Sequence, residues 1–481
     1  MSANTFDLVV RNARVATASD TFDADIGITD GRIVQLGLGL PAGRREIDAA
    51  GAFVTPGGVD AHCHLDQPME APVRMADDFD TGTRAAACGG TTTVIPFAAQ
   101  QKGQSLRAAV RDYHERAEGR AHVDHAFHLI VSDPTEEVLK HELPQLIAEG
   151  YTSFKIYMTY DDLKLDDGQI LDVLDVARSH DAMAMIHAEN ADCIEWLTKR
   201  LEASGRTAPR FHAHSRPMLV EREATHRAIA LSEQVDVPIM IVHVSGKEAV
   251  EQIRWARSHG LHVFAETCPQ YLFLTAEDLG IDDSYGGARC VCSPPPRNKD
   301  NQQVIWNGLA DGLFTIFSSD HAPFRYDAPE GKKPGGEEVA FRHIPNGIPG
   351  IETRLPLLFS HGVLDGRITI NRFVELTSTN PAKAYGLHPR KGTIAIGADA
   401  DLVVWGATPR QVRNADLHHA VDYTPYEGID VKAWPALTIA RGEVVWDGKT
   451  FHPRAGRGQF LRRGRPTLLP APPQRGTRGT P

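Results

Sequence analysis

The amino-acid sequence predicts an α/β fold, a (β/α)₈ barrel of the TIM type together with a small β-sandwich domain built from both chain ends. Three observations predict this fold. The chain has 481 residues, enough for a barrel of ~250 or more residues and a smaller module. Between about residues 54 and 385, short β-rich runs alternate with amphipathic stretches at helical spacing. Both ends instead alternate apolar and polar residues, as half-buried strands do.

Eight runs have the composition of buried strands, and eight is the strand number of a closed (β/α)₈ barrel. The runs are 53–62, 91–97, 125–132, 153–158, 182–187, 238–244, 262–267 and 313–318. The stretches between them carry apolar residues at helical spacing and predict crossover helices between parallel strands. These helices are expected at 106–117, 135–149, 168–179, 220–234 and 247–258.

The two chain ends predict short antiparallel strands at 6–15, 26–36, 51–55, 393–405 and 437–445. Because a piece of ~55 residues buries little surface alone, we expect the two ends to pair in one small sandwich. Four regions result: the N-terminal part of the sandwich (1–55), the barrel (56–388), the C-terminal part of the sandwich (389–450) and a tail (451–481).

The tail is rich in Arg, Pro and Gly. From Lys449 onward the chain has seven Arg, one Lys and no acidic residue. Two interpretations fit this composition, a solvated and irregular end or a strap across a neighbouring subunit.

Composition excludes several classes of protein. The net charge of −11 argues against a nucleic-acid surface. No apolar run approaches the ~20 residues that span a bilayer, and the polar start has no secretory features, so we expect a cytoplasmic protein. The six cysteines form no Cys-x-x-Cys pair and are typical of a reducing compartment. Cys290 with Cys292 is a weak metal candidate.

His62 and His64 end the first barrel run. Residues i and i+2 of a strand point to one side, so two imidazoles at this spacing can bind one metal ion. Further polar residues stand at the ends of later strands, and such positions meet at one face of a barrel. These residues are Lys155 on strand 4, His187 after strand 5, His243 at strand 6 and Asp320 after strand 8.

Lys155 is the unusual member of this group, because an ammonium repels metal ions. It could simply pair with a nearby acid. Alternatively, burial and adjacent cations lower its pKa, and the neutral amine adds carbon dioxide to become a carbamate. A carbamate has two oxygens and could bridge two metals ~3.5–4 Å apart. His62, His64 and Asp320 would complete one metal site, and His187 with His243 the other.

This constellation predicts hydrolysis at a planar carbonyl. Two divalent ions that share one water lower its pKa and supply hydroxide at neutral pH. Asp320 would take up the proton and return it to the leaving nitrogen. Tyr160, just past strand 4, could donate a hydrogen bond to the oxyanion, or it could be no more than an aromatic residue at the rim.

Motifs along nearly the whole chain carry a resemblance. They are Thr55-Pro-Gly-Gly-Val-Asp-Ala-His-Cys-His-Leu, Phe154-Lys-Ile-Tyr-Met-Thr-Tyr160, Ile186-His-Ala-Glu-Asn, Glu266-Thr-Cys-Pro-Gln-Tyr-Leu, Cys292-Ser-Pro-Pro-Pro-Arg, Ser319-Asp-His-Ala-Pro-Phe and Ile344-Pro-Asn-Gly-Ile-Pro-Gly-Ile-Glu352. With these motifs the chain resembles the cyclic amidohydrolases of the amidohydrolase superfamily, in particular the dihydropyrimidinase and D-hydantoinase group.

The resemblance implies two Zn²⁺ per subunit, bridged by carboxylated Lys155 (N6-carboxylysine) and a hydroxide. It implies that 5,6-dihydropyrimidines such as dihydrouracil, and 5-substituted hydantoins, are opened to N-carbamoyl amino acids, as in pyrimidine degradation. The ligands would be His62, His64, Lys155, His187, His243 and Asp320. Tyr160, Ser293 and Asn346 would contact the ring. It also suggests a homotetramer whose Arg-rich end reaches a neighbour.

Departures from the family pattern leave the natural ring open. The ring substituent is expected to meet Leu65, Met69, Phe97, Tyr157 and Phe324. A carboxylate at Asp66 would repel anionic rings such as dihydroorotate, and the stretch 326–338 looks longer than usual. An allantoinase or cyclic imidase is the alternative enzyme. A non-catalytic scaffold protein related to dihydropyrimidinase is the alternative outside catalysis, although every ligand position is intact.

Overall fold

The computed structural model describes residues 6–470. Five strands precede the barrel, and they are β1 (Leu8–Ala16), β2 (Thr21–Thr29), β3 (Arg32–Gly37), β4 (Arg45–Asp48) and β5 (Phe53–Pro56). β2 pairs antiparallel with β1 and β3, but β4 and β5 pair with β1 in parallel. The expectation that all end strands are antiparallel is therefore wrong. The chain returns to the start of β1 before β4, so the next two strands run alongside β1 in its own direction.

Nine strand segments form the barrel: β6 (Gly58–Cys63), β7 (Thr91–Ala99), β8 (Asp124–His125), β9 (His128–Ile130), β10 (Ser153–Tyr157), β11 (Met183–His187), β12 (Ile239–Ile241), β13 (Val263–Thr267) and β14 (Ile316–Phe317). β8 and β9 both pair with β7 and share the third strand position. Neighbouring strands are parallel throughout, and a bridge between Cys63 and His321 joins the last position to the first. The predicted barrel is confirmed.

The first predicted run, 53–62, divides between two sheets. Phe53–Pro56 belongs to β5 and Gly58–Cys63 to β6. The chain changes sheets at Gly57, whose amide donates to the carbonyl of Asp401, while that of Gly58 donates to Gly90. A Cβ at Gly57 would lie 2.1 Å from Thr92 Oγ1, so this close crossing of two chains requires glycine.

Helices follow the barrel strands. They are α1 (Thr81–Cys88), α2 (Leu106–Ala117), α3 (Leu143–Ala148), α4 (Asp167–Ser179), α5 (Ala191–Ala203), α6 (Phe211–Ser215), α7 (Met218–Val235), α8 (Lys247–Ser258), α9 (Gln270–Phe273), α10 (Lys299–Ala310), α11 (Arg354–Leu358), α12 (Ile370–Val374) and α13 (Asn380–Ala384). α2 and α8 have the predicted bounds, and the stretch 135–149 forms a π-helical turn (Val138–Glu142) before α3. Within residues 6–470, no helix has the length and apolar character that a membrane span requires.

Five strands follow the barrel: β15 (Leu402–Gly406), β16 (Arg410–Gln411), β17 (Asp430–Val431), β18 (Trp434–Ala440) and β19 (Glu443–Trp446). β15 pairs with β5 on one side and β18 on the other, so strands of both chain ends share one eight-stranded sheet. That this sheet makes up a sandwich domain, with the four boundaries given above, stays a prediction.

The chain beyond β19 packs against its own barrel as far as residue 470. Leu461 and Leu469 are buried in the apolar cluster that fills the barrel interior. Arg463 is also buried, and its guanidinium donates to Ser153 Oγ and the Phe127 carbonyl, both 2.5 Å away. Ser153 begins β10, so the segment covers the amino-terminal end of the barrel. The described part of the tail is therefore not simply solvated, while a strap across a neighbouring subunit stays a prediction. Residues 471–481 lie outside the described part of the chain.

A buried ammonium connects the barrel to the shared sheet. Lys391 Nζ lies 2.7 Å from Asp124 Oδ2, 2.7 Å from Asp401 Oδ2 and 3.1 Å from Asp399 Oδ2. Asp124 belongs to β8, while the other two acids lead into β15. Although burial opposes the charge, the three carboxylates raise the pKa of Lys391. The amine is therefore an ammonium in the folded protein.

We expect Lys391→Met to lower the free energy of unfolding by about 3–5 kcal/mol, because it leaves buried carboxylates without their counter-charge. Lys140→Met is the control, since Lys140 forms an exposed pair with Glu136 that contributes about 1 kcal/mol or less. Chemical denaturation of both variants measures the difference. Equal stabilities would contradict the assignment of Lys391 as a buried structural ion.

Candidate metal centre and substrate pocket

The carboxyl ends of the barrel strands surround a cavity of about 730 Å³. Five of the six predicted ligands line it, namely His64, Lys155, His187, His243 and Asp320. His62 is fully buried directly behind them. Parallel pairing of the strands therefore brings together residues that are up to 258 positions apart in the chain.

His62, His64 and Asp320 form one compact group. Asp320 Oδ1 lies 3.3 Å from His62 Nε2 and 3.6 Å from His64 Nε2. Burial opposes ionisation of Asp320, but the neighbouring imidazoles outweigh it and hold the pKa of its carboxyl well below its usual range. Burial also lowers the pKa of His62. Two imidazoles and a carboxylate are a donor set that suits Zn²⁺.

The rings of His187 and His243 meet edge to face, with centroids 4.4 Å apart. His187 Nε2 lies 2.7 Å from Glu189 Oε2, which leaves Nδ1 free. Neither ring nitrogen of His243 has a hydrogen-bond partner among residues 6–470, although the side chain is buried. A buried polar group without a partner is costly, and a metal ion would satisfy it.

Lys155 lies between the two groups, with Nζ 2.8 Å from His62 Nε2. The amine also lies over the rings of Phe97 and Tyr157, 4.7 and 4.8 Å from their centroids. It forms no salt bridge with a carboxylate of the described chain, so the simple ion pair considered above is not what the structure shows. Burial lowers the pKa of Lys155 to about 8, while Asp320 acts in the opposite direction. Burial, rather than neighbouring cations, makes the neutral amine accessible.

Three residues orient the imidazoles, and the sequence analysis did not assign them roles. Glu266 Oε1 lies 2.6 Å from His62 Nδ1, and Gln67 Oε1 lies 2.7 Å from His64 Nδ1. Glu189 accepts from His187 Nε2. With one nitrogen held in this way, each ring presents its other nitrogen to the centre. Glu266 could have been found from the sequence, because it is an acidic residue near the carboxyl end of β13.

Arg216 keeps one of these orienting groups charged. Its Nη1 donates to Glu189 Oε2 over 2.9 Å, and both side chains are buried. Burial alone would raise the pKa of Glu189, but Arg216 and His187 outweigh it and lower that pKa to about 2. The carboxylate is therefore an acceptor, and the His187 proton resides on Nε2.

The three residues expected to contact the ring all line the cavity. Asn346 Nδ2 lies 3.4 Å from the hydroxyl of Tyr160, which follows β10 in a left-handed conformation with φ 69°. Burial raises the pKa of Tyr160, so its hydroxyl stays protonated at neutral pH. Tyr160 can therefore act as a hydrogen-bond donor towards the cavity. Ser293 lies beside them, with Oγ 3.3 Å from His212 Nε2.

The residues expected near the ring substituent divide into two sets. Met69, Tyr157 and Phe324 line the cavity. Phe97 instead stacks against the His64 ring, with centroids 4.9 Å apart, and so supports the ligands from below. Leu65 is buried against α1, where a Cβ at Gly82 would lie 2.3 Å from its Cδ2. The expectation that Leu65 and Phe97 contact a substituent is not met, because both lie in the layer beneath the cavity.

Asp66 does not repel substrates as the sequence suggested. Its Oδ1 accepts from Arg116 Nη1 over 2.9 Å, and it is not among the residues that line the cavity. The guanidinium neutralises the carboxylate outside the pocket. Asp66 therefore gives no reason to exclude a ring that bears a carboxylate.

Other potential ligands are already satisfied or protonated. Cys88, Glu352 and His418 also form a compact group, but both carboxylate oxygens of Glu352 accept from the amide or ring of His418. Burial raises the pKa of the Cys88 thiol. Burial likewise raises the pKa of Cys290, to about 12, and that of Cys292. Protonated thiols are poor ligands, which disfavours the pair as a metal site.

Comparison with known proteins identifies the family. The sequence model of the Amidohydrolase family matches residues 53–445. This chain belongs to the amidohydrolase family. A D-hydantoinase of Geobacillus stearothermophilus is 45% identical over 461 residues, which are 95% of this chain and 96% of that protein.

Solved structures give the same result. A structure of D-hydantoinase superposes with a TM-score of 0.92 at 43% identity and covers 96% of this chain and 99% of that one. Dihydropyrimidinase from Brevibacillus agri NCHU1002 superposes with a TM-score of 0.91 at 43% identity and covers 95% and 98%. The resemblance of this amidohydrolase to the hydantoinase and dihydropyrimidinase group is confirmed.

We expect Lys155→Ala to lower metal content and hydrolytic activity together, with activity falling about 10³-fold or more. The substitution removes the side chain that connects the two ligand groups. Short-chain carboxylic acids should restore part of the activity, since their carboxylate can replace a bridging anion. Elemental analysis and turnover are measured with exposed Lys199→Ala as the control. Full zinc content and normal turnover in Lys155→Ala would refute the role of Lys155.

Proposed function

We propose that this amidohydrolase is a zinc-dependent enzyme that opens cyclic amides, namely 5,6-dihydropyrimidines such as dihydrouracil and 5-substituted hydantoins, to N-carbamoyl amino acids. The observation that carries the proposal is the buried amine of Lys155, which forms no salt bridge with a carboxylate of the described chain. The amine lies 2.8 Å from His62 Nε2, in a pocket that His64, His187, His243 and Asp320 also line. The names of the relatives, D-hydantoinase and dihydropyrimidinase, indicate the class of ring.

Lys155 would first be carboxylated. The lone pair of neutral Nζ adds to the carbon of CO₂, and the nitrogen loses a proton, so that a carbamate with two oxygens forms. This N6-carboxylysine, His62, His64 and Asp320 would hold one Zn²⁺, and the carbamate, His187 and His243 the other. When bound, two such ions lower the pKa of water towards neutrality and polarise the substrate carbonyl.

Asp320 would handle the proton. Its carboxylate lines the cavity beside His62 and His64, where it can accept the proton of the attacking water. The ring C–N bond breaks as this proton is delivered to the leaving nitrogen. The backbone of Asp320 has φ 48°, an unfavourable value for a residue with a side chain. Its amide donates to the His62 carbonyl over 2.9 Å, which holds the carboxylate towards the cavity.

Tyr160, Ser293 and Asn346 would bind the ring. The protonated hydroxyl of Tyr160 can donate to the oxygen that becomes negative as the carbonyl is attacked. The segments of Ser293 and Asn346 would read the O=C–NH–C=O edge that cyclic imides and ureides share. Met69, Tyr157 and Phe324 add apolar surface around a cavity of about 730 Å³, which is much larger than one ring and favours a bulky substituent.

The mouth of the cavity favours a second candidate. Gln101 and Lys102 also line it and could bind a polar substituent such as the ureido group of allantoin. An allantoinase is therefore the alternative function, and the experiment below also tests for a cyclic imidase. From the resemblance to the group, we further propose that the protein is a cytoplasmic homotetramer and acts in pyrimidine degradation. A molecular mass from light scattering tests the tetramer.

We expect purified, zinc-loaded enzyme to hydrolyse dihydrouracil and 5-phenylhydantoin. The panel also contains allantoin and phthalimide, and product formation is followed by chromatography. Turnover of allantoin or phthalimide without the first two would transfer the assignment to the alternative enzymes. Absence of turnover on all four, with zinc bound, would reject the proposed function and revive the scaffold interpretation.

We expect Tyr160→Phe to lower kcat by about 10²–10³-fold, the usual effect of removing one donor to an oxyanion. Metal content should not change, since Tyr160 belongs to neither ligand group. Tyr151→Phe removes a hydroxyl that bonds to His114 elsewhere in the fold and is the matched control. An unchanged kcat in Tyr160→Phe would assign Tyr160 to the rim of the pocket.

A further inference from the structure

A second buried amine lies next to the pocket and has no part in the chemistry above. Lys332 is fully buried, yet no salt bridge with a carboxylate of the described chain accompanies it. It belongs to the stretch 326–338, which looked longer than usual in the sequence. Burying an amine without a counter-charge costs free energy, so its position in the interior requires a physical reason.

Both hydrogen bonds of the Lys332 amine are made to backbone carbonyls. Nζ donates to the Val291 carbonyl over 2.8 Å and to the Pro345 carbonyl over 2.6 Å. Val291 is two residues before Ser293, and Pro345 directly precedes Asn346. The amide of Gly347 also donates to the Val291 carbonyl, over 3.0 Å. The amine thus joins the two chain segments that carry the proposed ring contacts.

The environment of the amine explains why a lysine stands there. Its Nζ lies 5.7 Å from the centroid of Phe324, another residue of the pocket wall. The Lys332 backbone is held by its own amide, which donates to Arg325, and by its carbonyl, which accepts from the Tyr285 hydroxyl. Burial lowers the pKa of the amine to about 7. A neutral amine still has two N–H groups, enough for both carbonyls.

We propose that Lys332 is a positioning residue that holds the segments of Ser293 and Asn346 at the spacing needed to grip the ring of the substrate. Its relation to substrate rests on the proposed function, while the fixed spacing of the two segments does not. Lys332 contacts neither the candidate ligands nor the reacting atoms. Its loss should therefore weaken substrate binding and leave the metal centre intact.

The test compares Lys332→Met, which keeps the chain length and removes the donors, with Lys333→Met. Lys333 is the next residue, pairs with Asp327 and lies outside the pocket, so it controls for a general effect on this stretch. We expect KM for the ring opened by the wild-type enzyme to rise about ten-fold or more in Lys332→Met, with a smaller change in kcat and unchanged metal content. Lys333→Met should match the wild-type enzyme.

Amide hydrogen exchange gives an independent measurement, because it needs no substrate. Exchange should accelerate at residues 291–293 and at Asn346 and Gly347 in Lys332→Met and not in Lys333→Met. If Lys332→Met does not fold, Lys332→Leu, which also removes both donors, takes its place. Unchanged exchange at both segments in the folded variant would overturn the proposal that Lys332 holds them together. Unchanged KM with faster exchange overturns its link to substrate, and an inactive wild-type enzyme rejects only the proposed function.

Discussion

Burial of the Lys155 amine without a carboxylate partner is the constraint on which the candidate site depends. An ammonium at this position would repel any metal ion. Burial instead favours the neutral amine, which is the form that can become an anion by adding CO₂. The free nitrogens of His243 and the orientation of His62 by Glu266 are consistent with this requirement. A metal cation bound among these residues would explain both features.

Three buried lysines in this chain illustrate how environment determines the role of one residue type. Lys391 is surrounded by three carboxylates and is a structural ammonium. Lys332 meets two backbone carbonyls and needs only its N–H groups. Lys155 meets an imidazole and two aromatic faces, and no carboxylate of the described chain forms a salt bridge with it. The groups around each amine thus decide its role: structural for Lys391, positioning for Lys332 and chemical for Lys155, the last two as proposed above.

Much of the fold could be predicted because periodicity is a local property. The eight barrel runs and the bounds of α2 and α8 follow from apolar spacing alone. The division of 53–62 between two sheets could not, since it depends on the approach of Thr92 to Gly57. The packing of the tail could not be predicted either. Composition shows that Arg463 is charged, but not that the carbonyl of Phe127 accepts its hydrogen bond.

By itself, the sequence determined the barrel, the family and the six side chains that meet at its mouth, because strand ends and ligand types can be read from neighbouring residues. Tertiary structure alone decided that Lys155 has no acidic partner, that Arg116 neutralises Asp66 outside the pocket and that Phe97 supports the ligands. These facts depend on distances between residues far apart in the chain. Only the packed protein brings such groups together and removes water from between them.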